Sequence, residues 1–263
     1  MQDSDMVTAI AAEDPEGLAA AYDRYAAGLY AYCRAMLTEP AGADQAVADT
    51  FVIAATRLTG LSDPERLRVW LYAVARNECH RRLRARAATA DSAGPDEATS
   101  VEVDPEQAGP PELVSAALAG LSPLDREIVE LNLRQELHGD DLAAVLGVPR
   151  HLANLLAARA RGRFETLLGV LLVARSGRAS CATLDELLGY WDGRLDPLLR
   201  RRAARHIQRC DACGQRRRRE LHLEALLALL PEAVLPDTLR DEVLGLVSST
   251  TPAGIARREL TIT

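Results

Sequence analysis

The sequence predicts an all-helical (all-α) protein. Ala, Leu and Arg dominate its 263 residues, whereas β-branched runs and strict polar–apolar alternation are scarce. Hydrophobic residues make up 48% of the chain, which is enough to build packed cores. No apolar run approaches the roughly 18 residues of a membrane-spanning helix. The acidic start MQDSDM also lacks the pattern of a secretory signal, so we expect a cytoplasmic protein.

Proline stands where five of the helices would begin. In four of these places the preceding side chain can cap a helix N-terminus: Asp14, Asp63, Ser122 and Asp196. The fifth start is at Pro236, in the tail. Together with the apolar spacing, these starts predict helices at residues 15–37, 41–59, 64–89, 112–119, 123–135, 139–146, 149–173, 183–191, 196–209 and 211–230, and one short helix after residue 236.

Charge is distributed unevenly along the chain. Residues 61–90 contain seven Arg and three acidic residues, whereas residues 91–112 contain seven acidic residues and no Arg. Residues 90–111 are rich in Pro, Gly, Ser and acid, which predicts a flexible acidic linker. The basic block favours a helix that binds a polyanion, although an Arg-rich face in contact with solvent would give the same pattern. The helical clusters on either side of the linker are residues 10–89 and 112–173.

The helix at 64–89 carries the first functional signal. Apolar residues at 67, 71, 74, 75 and 79 form one stripe, and basic residues occupy the remaining surface. Arg can neutralise phosphates and hydrogen-bond base edges, and Trp can stack on an unpaired base. Trp70 and Tyr72 could instead belong to the core. The candidate DNA-binding residues on this helix are Arg68, Trp70, Arg76, Asn77, His80, Arg81 and Arg84.

Residues 139–161 carry the second signal, which predicts a helix-turn-helix. A short helix is followed by Gly147, a residue suited to a tight turn, and then by a helix that starts near Pro149. In such a motif the second helix enters the major groove of DNA.

The third signal is a set of metal ligands near the C-terminus. Cys181, His206, Cys210 and Cys213 give the spacing C-x24-H-x3-C-x2-C. Three thiolates and one imidazole form a closed tetrahedral ligand set, so we predict one structural Zn²⁺ in a module spanning residues 178–230. His222 is the substitute ligand if Cys181 is too distant. Cys33 and Cys79 fit buried apolar positions instead, and residues 231–263 form a tail.

Residues 10–170 resemble the extracytoplasmic-function sigma factors of the sigma-70 family. Tyr22, Tyr25, Leu29 and Tyr30 are similar to the opening helix of that family. The segment 43–51 looks like its core-polymerase-binding segment. The resemblance therefore implies that the following residues contact core RNA polymerase: Asp44, Gln45, Asp49, Thr50 and Phe51.

The same resemblance gives roles to the two predicted DNA-binding segments. Arg68 to Leu71, with Ala75 to Asn77, resembles the helix that melts the promoter and reads its −10 element. Leu121 to Val129 resembles the start of the domain that reads the −35 element. The DNA contacts implied there are Arg150, His151, Asn154 and Arg159.

Three leucines depart from the family pattern in the second helix of that motif. Leu152, Leu155 and Leu156 stand where groove-facing polar residues are usual, and apolar side chains cannot read base edges by hydrogen bonding. Either they belong to the domain's own core, or they form a surface on which the zinc module docks through a tether at 171–180.

The metal-ligand segment is similar to the zinc-binding anti-sigma domain, which has a His-x3-Cys-x2-Cys motif and an earlier fourth ligand. Leu184 to Leu195 resembles the helix that precedes those ligands. The resemblances together imply a non-enzymatic sigma factor that binds core RNA polymerase and promoter DNA and is modulated by a fused zinc module. The alternative is a sigma-like regulator that acts through protein contacts without initiating transcription.

Overall fold

The structure, a computed structural model, describes residues 1–37, 39–58, 61–89, 101–102, 108–189 and 194–250. Within these residues the all-α prediction is confirmed, because helices form every element except strands β1 (Val101–Glu102) and β2 (Arg194–Leu195). The two strands pair antiparallel, with Val101 opposite Leu195. None of the described helices is long and apolar enough to span a bilayer.

Thirteen α-helices are found among the described residues. They are α1 (Asp3–Ala11), α2 (Pro15–Met36), α3 (Pro40–Arg57), α4 (Leu67–Thr89), α5 (Pro110–Ala119), α6 (Pro123–Val129), α7 (Gly139–Leu146), α8 (Arg150–Ser176), α9 (Ala182–Leu188), α10 (Pro197–Arg209), α11 (Asp211–Glu220), α12 (Leu223–Leu227) and α13 (Asp237–Thr250). A 3₁₀ turn precedes α4, and a π-helical stretch, Glu130–Arg134, continues α6.

The four predicted side-chain caps are confirmed. Asp14 and Asp63 accept hydrogen bonds from the backbone N–H groups two residues later, at 3.0 and 3.2 Å. Ser122 accepts from the N–H of Asp125 at 3.2 Å, and Asp196 accepts from two N–H groups at 2.7 and 2.9 Å. These bonds satisfy donors that a helix N-terminus otherwise leaves without partners, which is why the helix starts were readable from the sequence.

Several boundaries differ from the sequence prediction. Helix α1 was not predicted, and the predicted helix at 211–230 is divided in two at Leu221–His222. Helix α8 continues to Ser176, so residues 171–176 of the expected tether are helical, with Leu171 and Val173 fully buried. The predicted linker corresponds mainly to residues 90–100 and 103–107, which lie outside the described residues. The polar chain end at 251–263 also lies outside them.

The described residues divide into two compact units. The first draws on residues within Met1–Ala93, Leu137–Ala153 and Glu232–Thr263. Its core is built from large side chains that are fully buried: Leu29, Tyr32, Phe51, Leu67 and Leu71. Helix α1 crosses α2 at Gly17, where an added Cβ would lie 2.5 Å from the Cβ of Ala9 and 2.9 Å from the backbone nitrogen of Ile10. Only glycine permits that approach.

The second unit draws on residues within Gly94–Glu136 and Asn154–Pro231. Phe164 and Leu168 of α8 are fully buried in it. The last turn of α8 meets α11 through Ser176, whose hydroxyl donates to the Glu220 carboxylate at 2.8 Å. Helix α10 is tied to the end of α5, because Arg200 donates to the backbone oxygen of Gly120 at 3.3 Å. Helices α10 and α11 are therefore in contact with the end of α5 and with α8.

Candidate functional site

The apolar stripe predicted on α4 is confirmed as core. Leu67, Leu71, Ala75 and Cys79 are fully buried, while Val74 is half-buried. Because these residues repeat with helical spacing, the opposite face of α4 is turned away from the core. The spacing therefore determines which side of this helix can meet a ligand.

The candidate DNA-binding residues of α4 fall into two groups. Asn77, Arg81 and Arg84 are exposed, whereas Arg68, Trp70, Arg76 and His80 are half-buried. The Arg68 guanidinium lies 5.5 Å from the ring centre of Tyr72, which is itself buried. Tyr72 thus belongs to the core, while Trp70 keeps part of its ring at the surface.

The five residues implied in polymerase binding lie on α3 in different environments. Phe51 is fully buried, with its ring centre 5.0 Å from that of Tyr22, and Thr50 is buried with its hydroxyl bonded to the Ala46 oxygen at 2.7 Å. Gln45 is exposed, and Asp44 and Asp49 are half-buried. The surface that this segment offers therefore consists of Gln45 and the two carboxylates.

Asp44 lies at the buried edge of that surface. Its Oδ1 atom is buried, with no hydrogen-bond partner among the described residues. The Tyr30 hydroxyl interacts with the same carboxyl group, and burial together with this neighbour raises the pKa of Tyr30. A buried carboxylate oxygen without a partner is costly, so a donor from a binding partner would be favourable here.

In the segment predicted as a helix-turn-helix, α7 is followed by Gly147 and then by α8. Gly147 adopts a left-handed conformation, with φ +69°, and ends α7 as the sequence predicted. Helix α7 contacts α4 in the first unit. Arg66, in the 3₁₀ turn that precedes α4, donates to Asp141 at 3.0 Å and to the Asp140 backbone oxygen at 3.2 Å. The DNA-contact candidates Arg150, His151, Asn154 and Arg159 are all exposed, and Arg150 pairs with Asp140 at 3.2 Å.

The three leucines of α8 do not share one environment. The fully buried positions at the start of α8 are Ala153 and Ala160, followed by Phe164. Leu152 and Leu156 are half-buried, flanking this stripe, but Leu155 is 53% exposed. The core therefore does not account for Leu155, and the predicted docking of the zinc module on this surface stays a prediction.

The predicted metal ligands come together in the second unit. The ligand atoms of Cys181, His206, Cys210 and Cys213 all lie within 4.8 Å of one another. His206 Nε2 is 3.3 Å from the Cys181 sulfur and 3.4 Å from the Cys213 sulfur, and the sulfurs of Cys181 and Cys210 are 4.0 Å apart. Cys181 is close enough to complete the set, so His222 is not needed as a substitute ligand.

These distances suit a cation with tetrahedral coordination. Zinc bonds of about 2.3 Å to sulfur and 2.0–2.1 Å to nitrogen place neighbouring ligand atoms about 3.6–3.8 Å apart. The cluster can therefore hold one metal ion with small movements of its side chains. His206 lies in the last turn of α10, Cys210 joins α10 to α11, and Cys213 lies in the first turn of α11.

The thiols of this cluster have opposing pKa shifts. Backbone N–H donors from Cys213 and Ala212 lower the pKa of Cys210, with the neighbouring thiols adding to the effect. Burial, followed by the neighbouring thiols, raises the pKa of Cys213 to about 12. Three neighbouring thiolates would repel one another strongly. A bound divalent metal ion would offset this repulsion and so lower the pKa of each thiol.

Helix α13 forms a contact that the sequence did not predict. It packs on α2 and α3 through its buried residues Leu239, Val243 and Val247. The guanidinium of Arg240 donates two hydrogen bonds to the Asp23 carboxylate, at 2.7 and 3.0 Å. A cavity of about 270 Å³ lies beside this contact, between Ile10, Leu18, Ala55 and Leu244, among other residues. The four-residue spacing of the buried positions was the available signal.

Comparison with known proteins yields one match. Residues 21–89, from the second turn of α2 to the end of α4, match the family model described as Sigma-70 region 2. No curated protein matches the chain. No solved structure matches it either.

Proposed function

We propose, on the premise of the region 2 match at residues 21–89, that the chain is a sigma factor of the sigma-70 family. In this proposal it binds core RNA polymerase, directs it to promoters in the cytoplasm, and is regulated by its own C-terminal zinc module. The same match supports a role in transcription initiation. The observation that carries the proposal is the pairing of α3 and α4 within the matched region. One helix offers carboxylates and Gln45 for polymerase, and the other offers an arginine-bearing face for DNA.

We assign promoter contacts to the surface of α4 that is turned away from the core. Arg81 and Arg84 suit phosphates, Asn77 suits an adenine edge, and the exposed part of Trp70 can stack on an unpaired base. Arg68, Arg76 and His80 flank them on the same helix. On α8, the exposed Arg150, His151, Asn154 and Arg159 can reach backbone phosphates near a −35 element.

The zinc ion has a structural role in this proposal. The four ligands close its coordination sphere, which leaves no open position for a substrate or water. Bound zinc would hold α9, α10 and α11 together at the cluster. Loss of the metal would then loosen the second unit.

Regulation by the part of the chain that follows the zinc module is supported by the position of α13. This helix follows the zinc module in the chain and packs on α3, which carries the segment 43–51. Leu155 offers a second surface for regulation, because it is exposed on the first turns of α8. Docking of the zinc module on residues 149–160 would cover it.

Binding and initiation assays on the full chain test this function. We expect the purified, zinc-loaded chain to co-purify with core polymerase and to support run-off transcription from fragments of its own genome. A chain ending at residue 232, which lacks α13, should bind core polymerase more tightly than the full chain.

The outcomes separate the two candidate functions. Polymerase binding without transcription from any fragment would favour the alternative, a sigma-like regulator that acts through protein contacts. Absence of polymerase binding by both chains would contradict the proposal. Hydrogen exchange on residues 149–160, compared between metal-loaded and metal-free chain, tests the docking on Leu155. Unchanged exchange there would end that part of the proposal.

A further inference from the structure

Two carboxylates and two arginines form a compact network between α3 and α4. The Asp49 Oδ2 atom accepts from Arg81 at 3.0 Å and from Arg82 at 2.7 Å. The Glu78 Oε2 atom accepts from Arg81 at 2.6 and 2.8 Å and from Arg82 at 2.9 Å. The network thus joins Asp49, on the segment implied in polymerase binding, to Arg81, on the face assigned to DNA.

The two arginines have different roles in this network. The Arg82 side chain is only 13% exposed, and it binds the carboxylates of both Asp49 and Glu78 from the buried side of the network. The Arg81 side chain is 57% exposed. Its Nε and Nη2 atoms both donate to Glu78, and Nη2 also donates to Asp49. Those atoms form the edge with which a guanidinium binds a phosphate in two parallel hydrogen bonds.

A carboxylate and a phosphate present the same kind of oxygen acceptor to an arginine. We propose that Asp49, together with Glu78, occupies the phosphate-binding edge of Arg81 in the free chain, so that Asp49 acts as a positioning residue that withholds Arg81 from DNA. Contact of polymerase with Asp49 releases Arg81 to a promoter phosphate. The inference rests on the proposed function, because it assumes that α4 binds DNA.

The exposure of the network limits the strength of this effect. Ion pairs between exposed side chains are weak and are readily exchanged for other partners. Asp49 is 44% exposed and lies within reach of an approaching cationic group. A weak, accessible pair suits a switch, since a strong buried pair could not be opened by a binding partner.

Binding of duplex DNA by the free, full-length chain tests the proposal without polymerase. The probe is a fluorescein-labelled 30-base-pair duplex of arbitrary sequence, titrated at several low salt concentrations. Asp49→Asn should bind it about fivefold more tightly than the unaltered chain, and its salt slope should steepen by about one phosphate contact. Asp49→Glu, which restores the carboxylate, should return affinity toward that of the unaltered chain.

Two further variants isolate the cause. Glu16→Gln removes one negative charge from an exposed position in the same unit, so it corrects for net charge alone. Arg81→Ala combined with Asp49→Asn should abolish the gain, because no guanidinium is left to release. Thermal unfolding, with Asp49→Ser as a second variant lacking the carboxylate, verifies that the fold is intact.

The proposal is overturned if Asp49→Asn binds no more tightly than Glu16→Gln, or if the gain persists without Arg81. A chain that initiates transcription but shows no Asp49-dependent change would contradict only this inference. A chain that shows the gain but never initiates would contradict only the proposed function.

Discussion

Arg240 on α13 and Asp23 on α2 form a two-point ion pair, with Nε–Oδ1 and Nη2–Oδ2 distances of 2.7 and 3.0 Å. The hydrogen bond from Arg240 is the largest cause that lowers the pKa of Asp23. The two residues are more than two hundred positions apart in the sequence. Their pairing adds to the packing of the buried side chains of Leu239 and Val243 on the same helix.

This ion pair predicts that α13 loosens at low pH. Because the folded-state pKa of Asp23 is below its unfolded value near 3.9, the pair stabilises docking above about pH 4 and is lost as the pH falls through the folded pKa. Hydrogen exchange of residues 237–250 should report a roughly two- to fivefold loss of protection on protonation. In Asp23→Asn, the part of the protection that the ion pair contributes should be missing at every pH. An identical pH profile for both proteins would contradict the role of the pair.

The metal cluster predicts about one zinc per chain. Changing both Cys210 and Cys213 to Ser should abolish metal binding, measured by elemental analysis, and should increase hydrogen exchange throughout α9 to α11, because binding energy is coupled to folding. The control is His222→Gln, which should keep its zinc because Cys181 already completes the ligand set. Stoichiometric zinc in the double variant would contradict the site.

The close crossing of α1 and α2 predicts that a methyl group added at Gly17 lowers the stability of the fold. Gly17→Ala should destabilise the protein by about 1–3 kcal/mol, since the new Cβ meets Ala9 and the Ile10 backbone, neither of which can move freely. Gly162→Ala is the matched control within α8. Nothing lies within 4 Å of its added Cβ, so better helix propensity should stabilise by about 0.5–1 kcal/mol. Urea unfolding measures both. Equal effects would show that α1 does not cross α2 in this way.

The exposed face of α4 predicts two kinds of DNA phenotype. Arg76→Ala, Arg81→Ala and Arg84→Ala should weaken promoter complexes across sequences and reduce the salt slope by about one unit for each phosphate that the variant no longer neutralises. Asn77→Ala should instead alter the preference at the −10 element. Arg201→Ala, exposed on α10, is the control for charge. If all four variants leave promoter binding by the polymerase complex unchanged, α4 does not contact DNA.

Local chemistry explains why so much of the fold was readable from sequence. The caps at Asp14 and Asp196 and the left-handed turn at Gly147 depend on residues within four positions of each other. The metal cluster was equally readable, because His206, Cys210 and Cys213 have the spacing of one helix face and its following turn. Sequence spacing of this kind carries its own geometry.

Several features that escaped prediction depend on distant pairings. Helix α8 extends only three residues beyond the predicted end at 173, so its buried Leu171 and Val173 fit the predicted helix and not the predicted tether. The contact of Arg240 with Asp23, and that of Arg81 with Asp49, join charges whose partners no local rule specifies. Phe51 was implied as a polymerase contact by resemblance, and only its packing on Tyr22 reveals its burial.

The placement of the metal ligands also has a consequence for the order of events during folding. His206, Cys210 and Cys213 lie within one short stretch, whereas Cys181 is 25 residues from His206. The entropy cost of closing a loop rises with its length, so a cation is captured first by the local three ligands and later by Cys181. A zinc ion that binds this cluster would therefore be held before α9 reaches its final position, and the Cys181 sulfur would complete the ligand set last.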